Sequence, residues 1–93
     1  MVVGLYTFRL HIPHARSLKD KRAVVRGLLA RVRARFNASV AEVGRQDAPQ
    51  EALLAVAVVG ESREPVGAVL QAVQRYVEES CPAEVVEADV EFL

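Results

Sequence analysis

Five cations of the N-terminal half are the residues with the clearest capacity for binding chemistry. They lie at helical spacing: Lys19, Arg22, Arg26 and Arg33 fall on one flank of the predicted helix, and Lys21 lies on or near the other flank. Lys and Arg spaced in this way can follow a nucleic-acid backbone, because each cation that meets a phosphate releases a counterion. We therefore predict that these side chains contact the phosphates of RNA or of a ribosomal partner.

The segment that carries these cations, Ser17 to Asn37, is predicted to be one amphipathic helix. Ser17 can accept from free amides of the first turn, and Asp20 three residues later completes a capping-box pattern. A single stripe of apolar residues, about 100° wide, is predicted to face the core, and Asn37, which tolerates the left-handed conformation, is the predicted stop. The stripe consists of Leu18, Val25, Leu28, Leu29, Val32 and Phe36.

The same charges also have a structural interpretation. Arg31, Arg33 and Arg35 fall in the last turns of the helix, where a cation opposes the helix dipole by about 0.3–1 kcal/mol at low salt. The acidic C-terminal half offers further partners. Solvated or paired structural charge is therefore the alternative to RNA binding.

Charge is distributed unevenly along a chain whose formal net charge is zero. Residues 1–41 contain nine Lys/Arg and one Asp/Glu, a charge of +8, whereas residues 42–93 contain three and eleven, a charge of −8. Such asymmetry is typical of proteins with an anionic partner. The 93 residues, 52% of them hydrophobic, predict a single domain spanning 1–93. Neither a membrane span nor a secretory signal is evident, so we expect a cytoplasmic protein.

Other reactive residue types do not form a recognisable catalytic or metal-binding pattern. His11 and His14 are separated by Pro13 and have no evident third ligand, and Cys81 follows two glutamates rather than a base, which favours a structural cysteine. The acidic set Glu87, Asp89 and Glu91 is typical of a solvated edge strand. We find no phosphate-binding glycine loop and no activated nucleophile. The prediction is a non-enzymatic domain with no catalytic residue, metal or cofactor.

Hydrophobic patterns predict four strands and two helices along the chain. The predicted strands are residues 1–12, 39–43, 52–59 and 83–93, and a second helix begins within 61–65 and ends before Pro82. In the last strand, Val86, Ala88, Val90 and Phe92 are predicted on one side and Val85 with the acids on the other. The order βαββαβ predicts an α+β, ferredoxin-like fold: a four-stranded antiparallel sheet of order 4-1-3-2 with both helices on one face.

The sheet face without helices provides a second functional hypothesis. Tyr6 and Phe8 share the side of Leu10, which we assign to the core, so a platform of aromatics that stacks RNA bases is not expected. Part of an apolar set must instead face outwards: Val3, Leu5, Leu53, Ala55, Ala57, Val59 and Val85. Such a surface favours association. The alternative to RNA binding is thus an interaction module that forms a homodimer through its sheet.

Three stretches of the chain resemble a known family. They are MVVGLYTFRLHIP, the run ARSLKDKRAVVRGLLARVRARFNASVAEV with Gln46 and Asp47 beyond it, and AVAVVG. Together they cover nearly the whole chain, and it resembles the YlxP-like family of small bacterial proteins of uncharacterised function. The resemblance implies a ferredoxin-like fold and, more loosely, a link with translation or the ribosome. It implies no reaction, cofactor or catalytic residue.

Overall fold

The architecture is the predicted alternation of strands and helices. The computed structural model describes residues 1–80 and 82–93, so the prediction made for Cys81 lies outside the described residues. The elements are β1 (Val2–His11), α1 (Leu18–Arg35), β2 (Ser39–Gly44), β3 (Glu51–Gly60), α2 (Arg63–Ser80) and β4 (Glu84–Phe92). All strand pairs are antiparallel, and the order β2-β3-β1-β4 is the predicted order 4-1-3-2 read from the opposite edge. The ferredoxin-like prediction is confirmed.

Helix α1 begins as its sequence indicates and ends differently. The Asp20 amide donates to Ser17 Oγ at 3.1 Å, while Asp20 Oδ2 accepts from the Arg16 amide at 2.9 Å. At the other end Phe36 is already extended, with φ −129° and ψ 145°, and its amide closes the last turn on Val32 O. Asn37 does not adopt the left-handed conformation, so its predicted role as the helix stop is wrong. The Phe36 side chain is partly buried against the core.

The two faces of the sheet differ sharply in burial. Along β1 and β3 every second residue is almost completely buried beneath the helices, while the residues between them stay partly exposed. Tyr6 and Phe8 lie on the buried side and stack on each other with ring centroids 4.6 Å apart, which confirms their assignment to the core. From the helices, two apolar stripes cover this face: Val25, Leu28, Leu29 and Val32 of α1, and Val66, Leu70, Val73 and Val77 of α2. We call the other side of the sheet the open face.

A β-bulge in β4 changes which residues share a face. Arg9 lies opposite Glu87 while Leu10 lies opposite Val85, so Val86 is an extra residue. Side chains along a strand point alternately to the two faces of the sheet, and one extra residue shifts this alternation by one position. Residues before the bulge therefore point to the face opposite to the one that strict alternation predicts. Val85 therefore packs against the core from the helix side, and its predicted place beside the acidic residues is wrong. A strictly alternating pattern cannot reveal such an insertion.

Gly4 marks the closest approach of α2 to β1. A Cβ atom built on Gly4 would lie 2.5 Å from Val66 Cγ1 and 2.6 Å from Leu70 Cδ1, both in buried side chains. A methyl group in this position must displace one of them, and overpacking of this kind costs about 1–3 kcal/mol.

We expect Gly4→Ala to lower the free energy of unfolding by about 1–3 kcal/mol, measured by urea denaturation followed by circular dichroism. The matched control is Gly67→Ala on α2, where the new Cβ would meet only Phe92 Cζ at 3.6 Å. Because alanine is favoured over glycine in a helix, that variant should gain up to about 1 kcal/mol. Equal effects of the two substitutions would contradict close packing at Gly4.

Candidate nucleic-acid interface

Four of the five predicted cations lie along one exposed flank of α1, the flank beside β2. We call Lys19, Arg22, Arg26 and Arg33 the basic row, and all four residues are exposed. Arg33 is oriented by β2, since its Nη2 donates to Val40 O at 3.0 Å. That bond leaves the guanidinium charge uncompensated, because a carbonyl is not an anion. The basic row therefore presents positive charge along the edge formed by α1 and β2.

A shallow groove runs between the middle of the basic row and β2. Its volume is about 290 Å³, and its walls are formed by Arg22, Val25, Arg26, Leu29, Glu42 and Gln46. Apolar side chains form its floor, and the two guanidinium groups stand at its rim. Such a site can receive an anionic group beside the two guanidinium groups.

Lys21 departs from the prediction that placed it in the binding surface. Its side chain is completely buried beneath α1, where Nζ donates to Arg45 O at 2.8 Å and to Gln46 O at 3.2 Å. The carboxylate oxygen Oε2 of Glu42 lies 3.0 Å from the same Nζ, in ion-pair contact rather than in good hydrogen-bond alignment. An ammonium with two carbonyl acceptors and a carboxylate in ion-pair contact is satisfied internally. The prediction that Lys21 contacts phosphates is therefore wrong. Lys21 is instead a structural residue that anchors α1 to β2 and the following loop.

Helical arithmetic by itself places Lys21 inside the apolar stripe. At 100° per residue, position 21 lies within about 40° of Val25 and about 20° of Leu28. The charge of the lysine led to its assignment to the surface. The signal that could have corrected it is Glu42, an acidic residue on a strand position that otherwise points towards the core, opposite Leu54.

The remaining arginines of α1 belong to a different surface. Arg35 lies over the ring of Tyr76 on α2, with its Cζ 4.7 Å from the ring centroid, and Tyr76 also makes an edge contact with Phe36. Arg31 lies on the flank turned away from β2 by the same helical arithmetic. Among residues 1–80 and 82–93, the ion pairs involve Arg9, Lys21 and Arg45, so no member of the basic row is paired with a carboxylate.

A second charged cluster, which the sequence did not indicate, crosses one end of the open face. Arg9 bridges two acids, with Nη1 3.2 Å from Glu51 Oε1 and Nε 3.2 Å from Glu87 Oε2. Arg45 Nη1 then lies 3.4 Å from Glu51 Oε2. The resulting ion-pair chain, Arg45–Glu51–Arg9–Glu87, spans the sheet. Its members are up to 78 residues apart in sequence, which is why only the strand register could bring them together.

The residues considered for metal binding do not converge. His11 lies at the end of β1 between Glu51 and Glu84, whereas His14 is exposed in the following turn. Within the described part of the chain, no three His, Cys, Asp or Glu residues lie close enough together to hold a metal ion. Neither described helix is apolar enough over the required length to cross a bilayer.

These features define a class of protein: a small ferredoxin-like domain whose candidate site is a charged surface. The chain belongs to the family described as protein of unknown function DUF503, whose model matches residues 3–90. Over 77 residues it is 36% identical to the uncharacterized protein YlxP of Bacillus subtilis (strain 168), covering 83% of this chain and 84% of that protein. The predicted resemblance to the YlxP-like family is confirmed.

Similar solved structures support the fold alone. One is an NMR structure of a de novo designed protein with a ferredoxin fold, at a TM-score of 0.54 and 13% identity, covering 100% of this chain and 83% of the design. Another is the de novo designed protein Ferredog-Diesel, at a TM-score of 0.50 and 13% identity, covering 96% of this chain and 83% of that one.

We expect Lys21→Met to lower the free energy of unfolding by about 3–5 kcal/mol, because it leaves the largely buried Glu42 carboxylate without its cation. Lys19→Met is the matched control on the exposed flank and should change stability by less than about 0.5 kcal/mol. Urea denaturation measures both.

The double variant Lys21→Met/Glu42→Leu should be more stable than Lys21→Met alone, since it removes the unpaired charge as well. A Lys21→Met variant as stable as Lys19→Met would show that the ion pair does not anchor the helix.

Proposed function

We propose that the protein is a non-enzymatic domain that binds structured RNA through the basic row. The single observation that carries the proposal is the uncompensated charge of Lys19, Arg22, Arg26 and Arg33 along one exposed edge. From Lys19 to Arg33 the row extends about 21 Å along α1, at 1.5 Å per residue. That length is sufficient to meet several successive phosphates.

The form of RNA follows from what the two surfaces can contact. Proteins that bind single strands on a ferredoxin-like sheet stack bases on exposed aromatics. Here Tyr6 and Phe8 are buried on the helix side, and no described open-face residue is a Phe, Tyr or Trp. A row of cations on a helix instead recognises phosphates and shape, which favours double-stranded or folded RNA.

The distribution of negative charge gives the domain a preferred orientation towards such a partner. Glu87, Asp89 and Glu91 lie on β4, the sheet edge opposite β2. An anionic partner is therefore attracted to the α1 side and repelled from the β4 side, which steers its approach. The YlxP-like resemblance, with its looser link to translation, makes ribosomal RNA and ribosomal subunits the first partners to test.

We expect Arg22→Glu/Arg26→Glu to weaken binding of a fluorescently labelled RNA hairpin and of ribosomal subunits. Anisotropy and co-sedimentation measured from about 50 to about 250 mM salt should show a shallower salt dependence, by about one unit of slope per lost phosphate contact. A single-stranded RNA of the same length should bind more weakly than the hairpin.

The matched control is Arg31→Glu/Arg75→Glu, which changes net charge equally but lies outside the basic row on exposed positions of α1 and α2. It should retain binding. An absence of wild-type binding at low salt, or an equal loss in the control, would refute the proposal.

A further inference from the structure

The centre of the open face is apolar and has no covering element within the described structure. Aliphatic side chains occupy six of the ten open-face positions of its two middle strands, namely Val3 and Leu5 of β1 and Leu53, Ala55, Ala57 and Val59 of β3; the other four positions are Thr7, Arg9, His11 and Glu51. Val59 is 65% exposed. An apolar patch of this kind on one side of a sheet is typical of an interaction surface.

Charges border this apolar strip differently at its two edges. On the β4 edge the open face carries Glu87, Asp89 and Glu91. On the β2 edge it carries the small residues Ser39 and Ala41, and Arg45 follows directly after the strand. The β4 edge is therefore acidic, whereas the β2 edge carries small uncharged side chains and is followed by the cation of Arg45.

The strand register places the cation and one of the acids at the same level. Leu53 lies opposite Arg9 on one side and opposite Gly44 on the other, and Arg9 lies opposite Glu87. Arg45 and Glu87 therefore stand at corresponding heights on opposite edges of the sheet. The Glu87 side chain is 73% exposed and that of Arg45 is 54% exposed, so both have room for a further partner.

We propose that two copies of this chain pack open face to open face about a two-fold axis parallel to the strands. Such a rotation exchanges the edges of the sheet and preserves height along the strands. It places β4 of the partner subunit over β2, so that Glu87 of the partner subunit meets Arg45. The acidic side chains then lie over Ser39 and Ala41, which are small enough to leave space for them.

The charge pattern selects this axis over the other face-to-face arrangement. A two-fold axis perpendicular to the strands would place β4 over β4 of the partner subunit, bringing the two rows of acids together. Like charges opposed across an interface are strongly unfavourable. The parallel axis instead joins the ion-pair chain of each copy to that of the other, giving a closed ring of alternating charge around one end of the apolar strip.

The dimensions of the face are sufficient for a specific dimer. Four strands are about 19 Å wide at about 4.8 Å spacing, and the ten residues of β1 and β3 extend about 33 Å. The footprint is on the order of 600 Å² per copy, or about 1,200 Å² for the pair, the lower end of the range for specific interfaces.

The dimer is independent of the RNA proposal, because the helices lie on the opposite side of each sheet. Both basic rows remain on the outside of the pair. A failure of RNA binding thus leaves the dimer intact, and a monomeric protein can still bind RNA.

The first test measures mass in solution by size exclusion with light scattering and by analytical ultracentrifugation. The wild type should reach dimer mass at micromolar to millimolar concentration. Leu5→Arg in the centre of the open face should remain monomeric and folded, while Ala68→Arg on the exposed side of α2 should dimerise normally. A wild type that stays monomeric at millimolar concentration, or a dimer that persists in a folded Leu5→Arg variant, overturns the proposal.

The second test examines the axis with charge-reversal variants. Arg45→Glu and Glu87→Arg should each weaken the homodimer about tenfold, through two altered contacts per pair. Mixing the two variants should produce mainly the heterodimer, because both intersubunit ion pairs are then restored while the changes within each subunit stay the same. Native mass spectrometry resolves the three species by mass. A statistical mixture with no heterodimer preference would overturn the parallel axis.

Discussion

The buried ammonium of Lys21 is the constraint on which the placement of α1 depends. Its three partners come from outside the helix: the Glu42 carboxylate on β2, in ion-pair contact, and two carbonyl acceptors of the loop that follows. A charge without solvent must keep such partners, because an unpaired buried ion costs several kcal/mol. Helix α1 therefore cannot slide or rotate over β2 without losing these contacts. The loop is held in the same way, at the point where Arg45 adopts a positive φ of 62°.

This anchor also decides where the other cations of the helix lie. With Lys21 pointing into the core beside Val25 and Leu28, residues 19, 22, 26 and 33 must follow the β2 side of the apolar stripe. The opposite flank faces α2, where Arg35 covers Tyr76. One buried lysine thus separates a basic row available to an anionic partner from arginines that stabilise helix packing. The separation of charge continues across the sheet, since the acidic strand β4 is the edge farthest from β2.

Particular residues show why some expectations held and others failed. Ser17 and Asp20 are three positions apart, so the start of α1 depends on atoms that are neighbours in sequence, and the cap formed as expected. Asn37 is not the helix stop because α1 already ends at Arg35, with Phe36 as its extended C-cap. The predicted face of Val85 was wrong because the bulge at Val86 shifts the alternation of side chains in β4 by one residue. The predicted exposure of Lys21 was wrong because the acceptors that make its burial possible lie more than 20 residues further along the sequence.

Local spacing in the sequence was therefore sufficient for the order of the elements, the strand order and the position of the basic row. Each of these follows from periodicity, from capping and from the handedness of short connections, which are short-range properties of the chain. Tertiary structure alone decided which charged residues are removed from the surface and which are joined. Lys21 and Glu42, and the chain from Arg45 to Glu87, meet only when the strands have taken their register. A charged residue is expected at the surface unless a residue of opposite charge, distant in sequence, makes its burial favourable. The fold determines whether such a partner is present.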